Sequence, residues 1–161
     1  MHEKNWAEWW RRFVDIAPDT SLAALDILRQ RYLEEMQQAD RFEQSAQRMH
    51  YPQYREKLLQ LAAKTSEQAQ RIGEKILALG GRLPKVPEHR TTHENSWKSL
   101  LTVIEDENRT ADHLPEDLRR IALDHPDIAR LLQEISQEAK NHRGDIKEML
   151  MRSDPFAFSL A

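Results

Sequence analysis

Five residues of this 161-residue chain, Glu35, Thr65, Gln68, Glu107 and His142, have types and spacing that suit chemistry. Each falls where a repeat of alternating three- and four-residue steps calls for an apolar side chain, the repeat of a helix packed along a seam. Burying one unpartnered carboxylate costs several kcal/mol, so two carboxylates and an imidazole at one level need mutual compensation. Two arrangements supply it. One is a hydrogen-bonded network in which one carboxyl keeps its proton, His142 is charged, and Gln68 and Thr65 donate. The other is a metal ion held by Glu35, Glu107 and His142, an oxygen and imidazole set that suits iron, manganese or zinc. The residues alone leave both open.

The elements that must position these residues are four long helices. Helix A is expected from about Leu22 to Met49, after a break at Ala17-Pro18-Asp19. His50-Tyr51-Pro52 makes a tight turn, with Pro52 suited to the first position of helix B. Helix B runs to Leu79, where Gly80 and Gly81 supply a left-handed stop. Helix C starts near Glu94, and helix D runs from Pro126 to just before Asp154-Pro155. The stripe in A reads Leu25, Leu28, Tyr32, Glu35, Ala39, Phe42, Ala46, Met49. B, C and D carry similar stripes, broken at Thr65 and Gln68, at Glu107 and at His142. All five interruptions lie near helix midpoints, which meet at one height in a bundle, so they should converge in one central layer. Leu114-Pro115 predicts a kink or break in helix C, because proline removes a backbone hydrogen bond.

Connection lengths fix the topology. The tight turn makes A and B antiparallel neighbours. The stretch from Arg82 to His93 is longer than an ordinary loop. A helix of about 27 residues is about 40 Å long, and about 14 linker residues at about 3.3 Å each can cover that length. B and C can therefore run parallel, joined by one long crossover.

Composition narrows the partners. The formal net charge is −3 and 32% of residues are charged, with both signs interspersed, which argues against nucleic acid. No cysteine is present, so thiolate sites are excluded. No apolar run approaches the roughly 20 residues of a membrane span, and the start of the chain lacks an apolar signal core. A single domain over 1–161 in the cytoplasm is expected. It comprises an amphipathic helix over 1–16, a bundle over 20–153 and an apolar tail over 154–161. Trp6, Trp9, Trp10 and Phe13 should pack on the bundle or in a homo-oligomer, a dimer first. Membrane docking is disfavoured because acidic residues offset the basic ones. The tail is open to a protein partner. His50, His89, His93, His113 and His125 read as surface residues. Glu34, Glu67, Glu105 and Glu138 read as solvated, with inward rotation open to Glu67 and Glu138. Gly144 reads either as a tolerated glycine or as a point of close backbone approach.

The pattern resembles the ferritin-like superfamily, rubrerythrins and bacterioferritins in particular. Glu35 followed by Phe42 looks like the family's helix A glutamate, and Glu107 with Ala111 and Leu114 like its helix C glutamate. The run from Arg71 to Gly81 is similar to the end of its second helix. The resemblance covers roughly Leu22 to Leu150 and implies an all-α bundle with one B–C crossover. The family's site takes one Glu from each of two helices and a Glu-x-x-His pair from each of the others. Here those pairs are replaced by Thr65-x-x-Gln68 and Ala139-x-x-His142, so both bridging glutamates and one histidine are missing. The resemblance thus implies a degenerate di-iron site: one iron, manganese or zinc ion with water, or none. If the protein is active, an iron- or manganese-dependent oxidoreductase is implied. The alternative is a metal-free structural or interaction bundle.

Overall fold

The computed structural model of the chain describes residues 20–88 and 96–152. Among them run four helices, α1 (Thr20–Arg48), α2 (Pro52–Ala78), α3 (Ser96–Ile121) and α4 (Pro126–Arg152). The helix expected over 1–16, the start of helix C at Glu94, His89, His93 and the tail over 154–161 lie outside the described residues.

The ends of these helices follow from their punctuation. Pro52 opens α2, where a missing N–H leaves no bond unmade. The Tyr51 carbonyl accepts from the Tyr54 and Arg55 amides at 3.1 and 2.9 Å, and Arg55 Nη2 donates to the Met49 carbonyl at 2.8 Å. At the other end Gly80 takes φ +77°, and the Gly81 amide reaches back to the Ile76 carbonyl at 2.9 Å. A Cβ at Gly81 would come within 2.6 Å of Leu25 Cδ2, so that leucine tip would have to shift to admit it.

Ladders of polar pairs show how the helices run. Between α1 and α3, Arg31 reaches Asp117, Arg41 reaches Asp106 and Ser45 reaches Ser99. Rising numbers on one helix meet falling numbers on the other, so the two are antiparallel. The same holds for α2 and α4 through Lys57–Asp145, Arg71–Glu134 and Lys75–Asp127 at 3.0, 2.7 and 2.6 Å. With α1 and α2 joined by a tight turn, α2 and α3 are parallel. The linker that follows Gly81 is the expected long crossover.

The core has two apolar blocks. One gathers Phe42, Leu58, Leu61, Leu100, Val103 and Ile146 near the α1–α2 turn. The other gathers Leu28, Ile72, Ile76, Ile121, Ile128 and Leu132 at the opposite end. Each fully buried side chain of this size contributes about 1.5–3 kcal/mol, so the blocks carry the stability and the level between them is free to be polar. Pro115 does not break α3, which runs unbroken from Ser96 to Ile121. The following turn is held by tertiary packing instead, because Leu114 and Leu118 lie against the second block and Ile121 belongs to it. Gly144 is exposed, and a Cβ there would meet nothing within 4 Å, so it marks no close approach.

Candidate functional site

Glu35, Thr65, Gln68, Glu107 and His142 are all buried, at 7%, 0%, 3%, 4% and 4% exposure. In sequence they fall between the residues of the two apolar blocks on every helix. Four of them divide between two hollows, and Thr65 lines neither.

The first hollow is a cavity of about 30 Å³ between α1, α3 and α4. Glu35, Glu107, Gln38, Ala139 and Arg143 are among its walls, and its size suits a water molecule or an ion. Glu107 Oε1 accepts a short hydrogen bond from Gln38 Nε2. Its Oε2 is buried with no hydrogen-bond partner, and the nearest ion pair is Arg143 Nε at 4.0 Å. The Glu35 side chain makes no hydrogen bond with a described residue. Burial raises the Glu35 carboxyl to about 8, helped by the charges of Glu107 and Glu34 and opposed by Arg31. Burial likewise raises Glu107 to about 7, against the pull of the Gln38 hydrogen bond and the Arg143 charge. Both carboxyls thus hold protons far more tightly than in water, the state of an acid pair short of positive charge.

The second hollow is a cleft of about 300 Å³ between α2 and α4, lined by Gln68, Glu138 and His142 with Lys64, Glu67 and Asp145. Gln68 Nε2 donates to Glu138 Oε2 at 2.5 Å. Burial depresses the His142 imidazole and the Lys64 charge adds to this, while Glu138 and Asp145 pull the other way. The net depression favours a neutral ring, which has one nitrogen lone pair to give. Thr65 Oγ1, fully buried, has no hydrogen-bond partner.

The structure therefore brings Glu35 and Glu107 together on one cavity and puts Gln68 and His142 on another. Among the described residues, no group of three or more His, Asp or Glu side chains lies close enough to hold a metal ion.

Sequence reasoning missed three members of the layer, Arg31, Gln38 and Arg143. Arg31 is buried at 6% exposure. It binds Glu34 at 3.2 Å, the Thr110 carbonyl at 3.1 Å and Asp117 at 3.3 Å, making a clamp beside the cavity. Glu34 is thus held by Arg31 rather than free in solvent. Gln38 and Arg143 act directly on Glu107. Glu138, for which inward rotation was open beside the solvated reading, is half-buried. Arg31 and Gln38 lie four before and three after Glu35, on the same face of α1, which is the one signal that could have found them. Glu67 and Glu105 are exposed, as are His50 and His113. His125 is not a surface residue: it is half-buried, with Nε2 enclosed and unpartnered at the α3–α4 turn.

Two metal ions do not fit this donor set, because Thr65, Gln68 and Ala139 offer no carboxylate to bridge them. For a single ion, Glu35 and Glu107 share one cavity and Glu107 Oε2 has no hydrogen bond, with Arg143 Nε at 4.0 Å, whereas His142 lies on the other hollow.

No protein-family model and no curated protein matches the chain in sequence. Solved structures do match in fold. A bacterioferritin from Desulfovibrio desulfuricans, described with its diiron site in different catalytic states, superposes with TM-score 0.68 at 19% identity, over 81% of this chain and 80% of that one. A ferritin-like, diiron-carboxylate protein from Bacillus anthracis gives 0.66 at 18%, over 82% and 98%. An open pore ferritin from Archaeoglobus fulgidus gives 0.64 at 16%, over 84% and 89%. At these identities the likeness is one of architecture, and the architecture of this chain is the ferritin-like four-helix bundle.

Proposed function

We propose that this bundle holds one divalent metal ion, iron, manganese or zinc, in its central layer, and that it works in iron or redox handling. The observation that carries the reading is Glu107 Oε2, a buried carboxylate oxygen without a hydrogen bond on the cavity that Glu35 also lines. Glu35 and Glu107 are the carboxylate donors in this reading. His142 is the third, brought in from the α2–α4 cleft by rotation of its side chain. Gln38 holds Glu107 in place through Oε1 and leaves Oε2 for the ion. Arg143, whose guanidinium now stands nearest that oxygen, gives way to the stronger charge. Thr65, Gln68 and Ala139 occupy positions at which the resemblance implies further ligands, so the site is reduced to one ion. A bound ion of this kind would supply Lewis acidity and, as iron or manganese, a one-electron couple, and the protein, if active, would then be an iron- or manganese-dependent oxidoreductase.

The same reading makes the chain one domain, a cytoplasmic homo-oligomer, with a dimer favoured. No described helix is long and apolar enough to cross a membrane.

A metal-free structural or interaction bundle is the second reading. It is favoured by the absence of three gathered donors among the described residues and by the guanidinium already beside Glu107. Elemental analysis of protein purified without chelators separates the two. Metal near one per chain supports the first. None, even after loading with iron, manganese and zinc, supports the second.

A further inference from the structure

The carboxylate cavity has a larger neighbour. Along the α1–α3 seam lies a groove of about 410 Å³. It is polar, and two of its arginines, Arg41 and Arg109, both bind its Asp106. Arg31, Glu34, Gln38 and Thr110 line the groove and the cavity alike. One layer of side chains therefore separates the groove from Glu35 and Glu107.

The four residues of that layer are not equally held. Glu34 accepts from Gln30 at 2.9 Å, from Arg31 at 3.2 Å and from Thr110 Oγ1 at 3.4 Å. Arg31 donates in turn to the Thr110 carbonyl at 3.1 Å and to Asp117 at 3.3 Å. Moving any one of these three breaks more than one bond. The Gln38 side chain is held by one hydrogen bond, from Nε2 to Glu107 Oε1, and makes no other with a described residue. It is half-buried, and a glutamine can change rotamer without moving its helix. The layer thus has one movable part, latched by the carboxyl it hides. The rest of the cavity wall is mostly apolar, with Ala111, Leu114, Leu132, Ile135 and Ala139, so a hydrated species crossing there would shed its water with few partners to replace it.

We propose that the α1–α3 groove is the way by which small hydrophilic species, water or ions, reach the buried carboxyls, and that Gln38 is its door. Closed, Gln38 occupies Glu107 Oε1. Swung toward the groove, it opens the cavity while Arg31, Glu34 and Thr110 stay in place as the frame. The inference stands apart from the single-ion reading, because water must reach the cavity whether or not a metal does.

The chain has no cysteine, so one introduced thiol can report entry. Ile135, buried on the cavity wall, is changed to cysteine in the full, chelator-treated chain. Its reaction with a small cationic methanethiosulfonate reagent is followed by mass spectrometry. Adding Gln38→Ala should speed the reaction roughly tenfold, the shift in a closed-to-open balance that one lost hydrogen bond to a carboxyl makes. Gln37→Ala, on the groove but not on the cavity, should leave the rate unchanged. So should Ser136→Leu, on the cavity but not on the groove. A second reporter, Ile72→Cys in the apolar block, should not respond to Gln38→Ala, and circular dichroism checks the fold of each variant. A rate at position 135 that ignores Gln38→Ala would overturn the proposal. Equal acceleration at positions 72 and 135 would mean general loosening rather than a door, and the proposal falls. A reaction slowed by Ser136→Leu and indifferent to Gln38→Ala would put the entrance between α3 and α4 instead.

Discussion

Glu35 and Glu107 define the problem this protein solves at its centre. In water such carboxyls lose their protons near 4.5, whereas here they keep them to about 8 and about 7. Because the folded-state values are raised, the folded protein binds more protons than the unfolded chain between about pH 4.5 and 8. Stability then falls as pH rises through that window. Below it both states are protonated and the difference vanishes. Glu35→Gln removes the ionisable group while keeping its shape. The metal-free variant should melt higher than the parent at pH 8, by about 2–4 °C for each kcal/mol relieved, and should match it near pH 4.5. Thermal melts of chelator-treated protein across this range check the prediction, and an unchanged slope would mean that Glu35 is not the group that titrates.

The helices themselves were legible in the sequence because a seam of apolar residues at three- and four-residue steps can be satisfied only by packed helices. Leu28, Phe42, Ile72 and Ile146 all fall on that seam and all are buried. The crossover was legible because loop lengths bound helix directions. The site was legible only in part. Seam phase locates a Cβ, and so it found Glu35, Thr65, Gln68, Glu107 and His142. It cannot say where a long side chain ends, which is why Arg31, Gln38 and Arg143 were missed and Glu138 stayed open between solvent and interior. Pro115 predicts a kink or break, and the helix does not break there because the packing of Leu114, Leu118 and Ile121, which local rules do not count, holds it. Two predictions belong at this scale. Gly80→Ala places a Cβ on a residue at φ +77°, and should lower stability by about 1–2 kcal/mol in a denaturant melt without altering metal binding. The triple change Thr65→Glu, Gln68→His and Ala139→Glu should increase metal uptake. Its added carboxylates repel Glu35 and Glu107, so the metal-free variant should melt below the parent, and loading with manganese or iron should restore it by linkage. A variant that binds no more metal than the parent, and whose melting temperature ignores metal, would show that these positions do not face a common site.

At the scale of the molecule, two apolar blocks support a polar layer neither could contain. The blocks near the bundle ends bury Phe42, Leu58 and Leu100 on one side and Leu28, Ile72 and Ile128 on the other. Because they hold the helices in register, the layer between them can keep polar atoms without hydrogen bonds, such as Thr65 Oγ1 and Glu107 Oε2. Such atoms are expensive to leave unmatched, and a cation is the partner that matches the carboxylate. The central claim is thus a count of one ion per chain at Glu35 and Glu107. Its most direct measurement is calorimetric titration of the chelator-treated protein with Mn(II), on the parent and on Glu107→Gln. The account predicts one site per chain in the parent, with proton release as the carboxyls ionise, and loss of that site in the variant. A parent that takes up no ion, or a site that survives in Glu107→Gln, would contradict it.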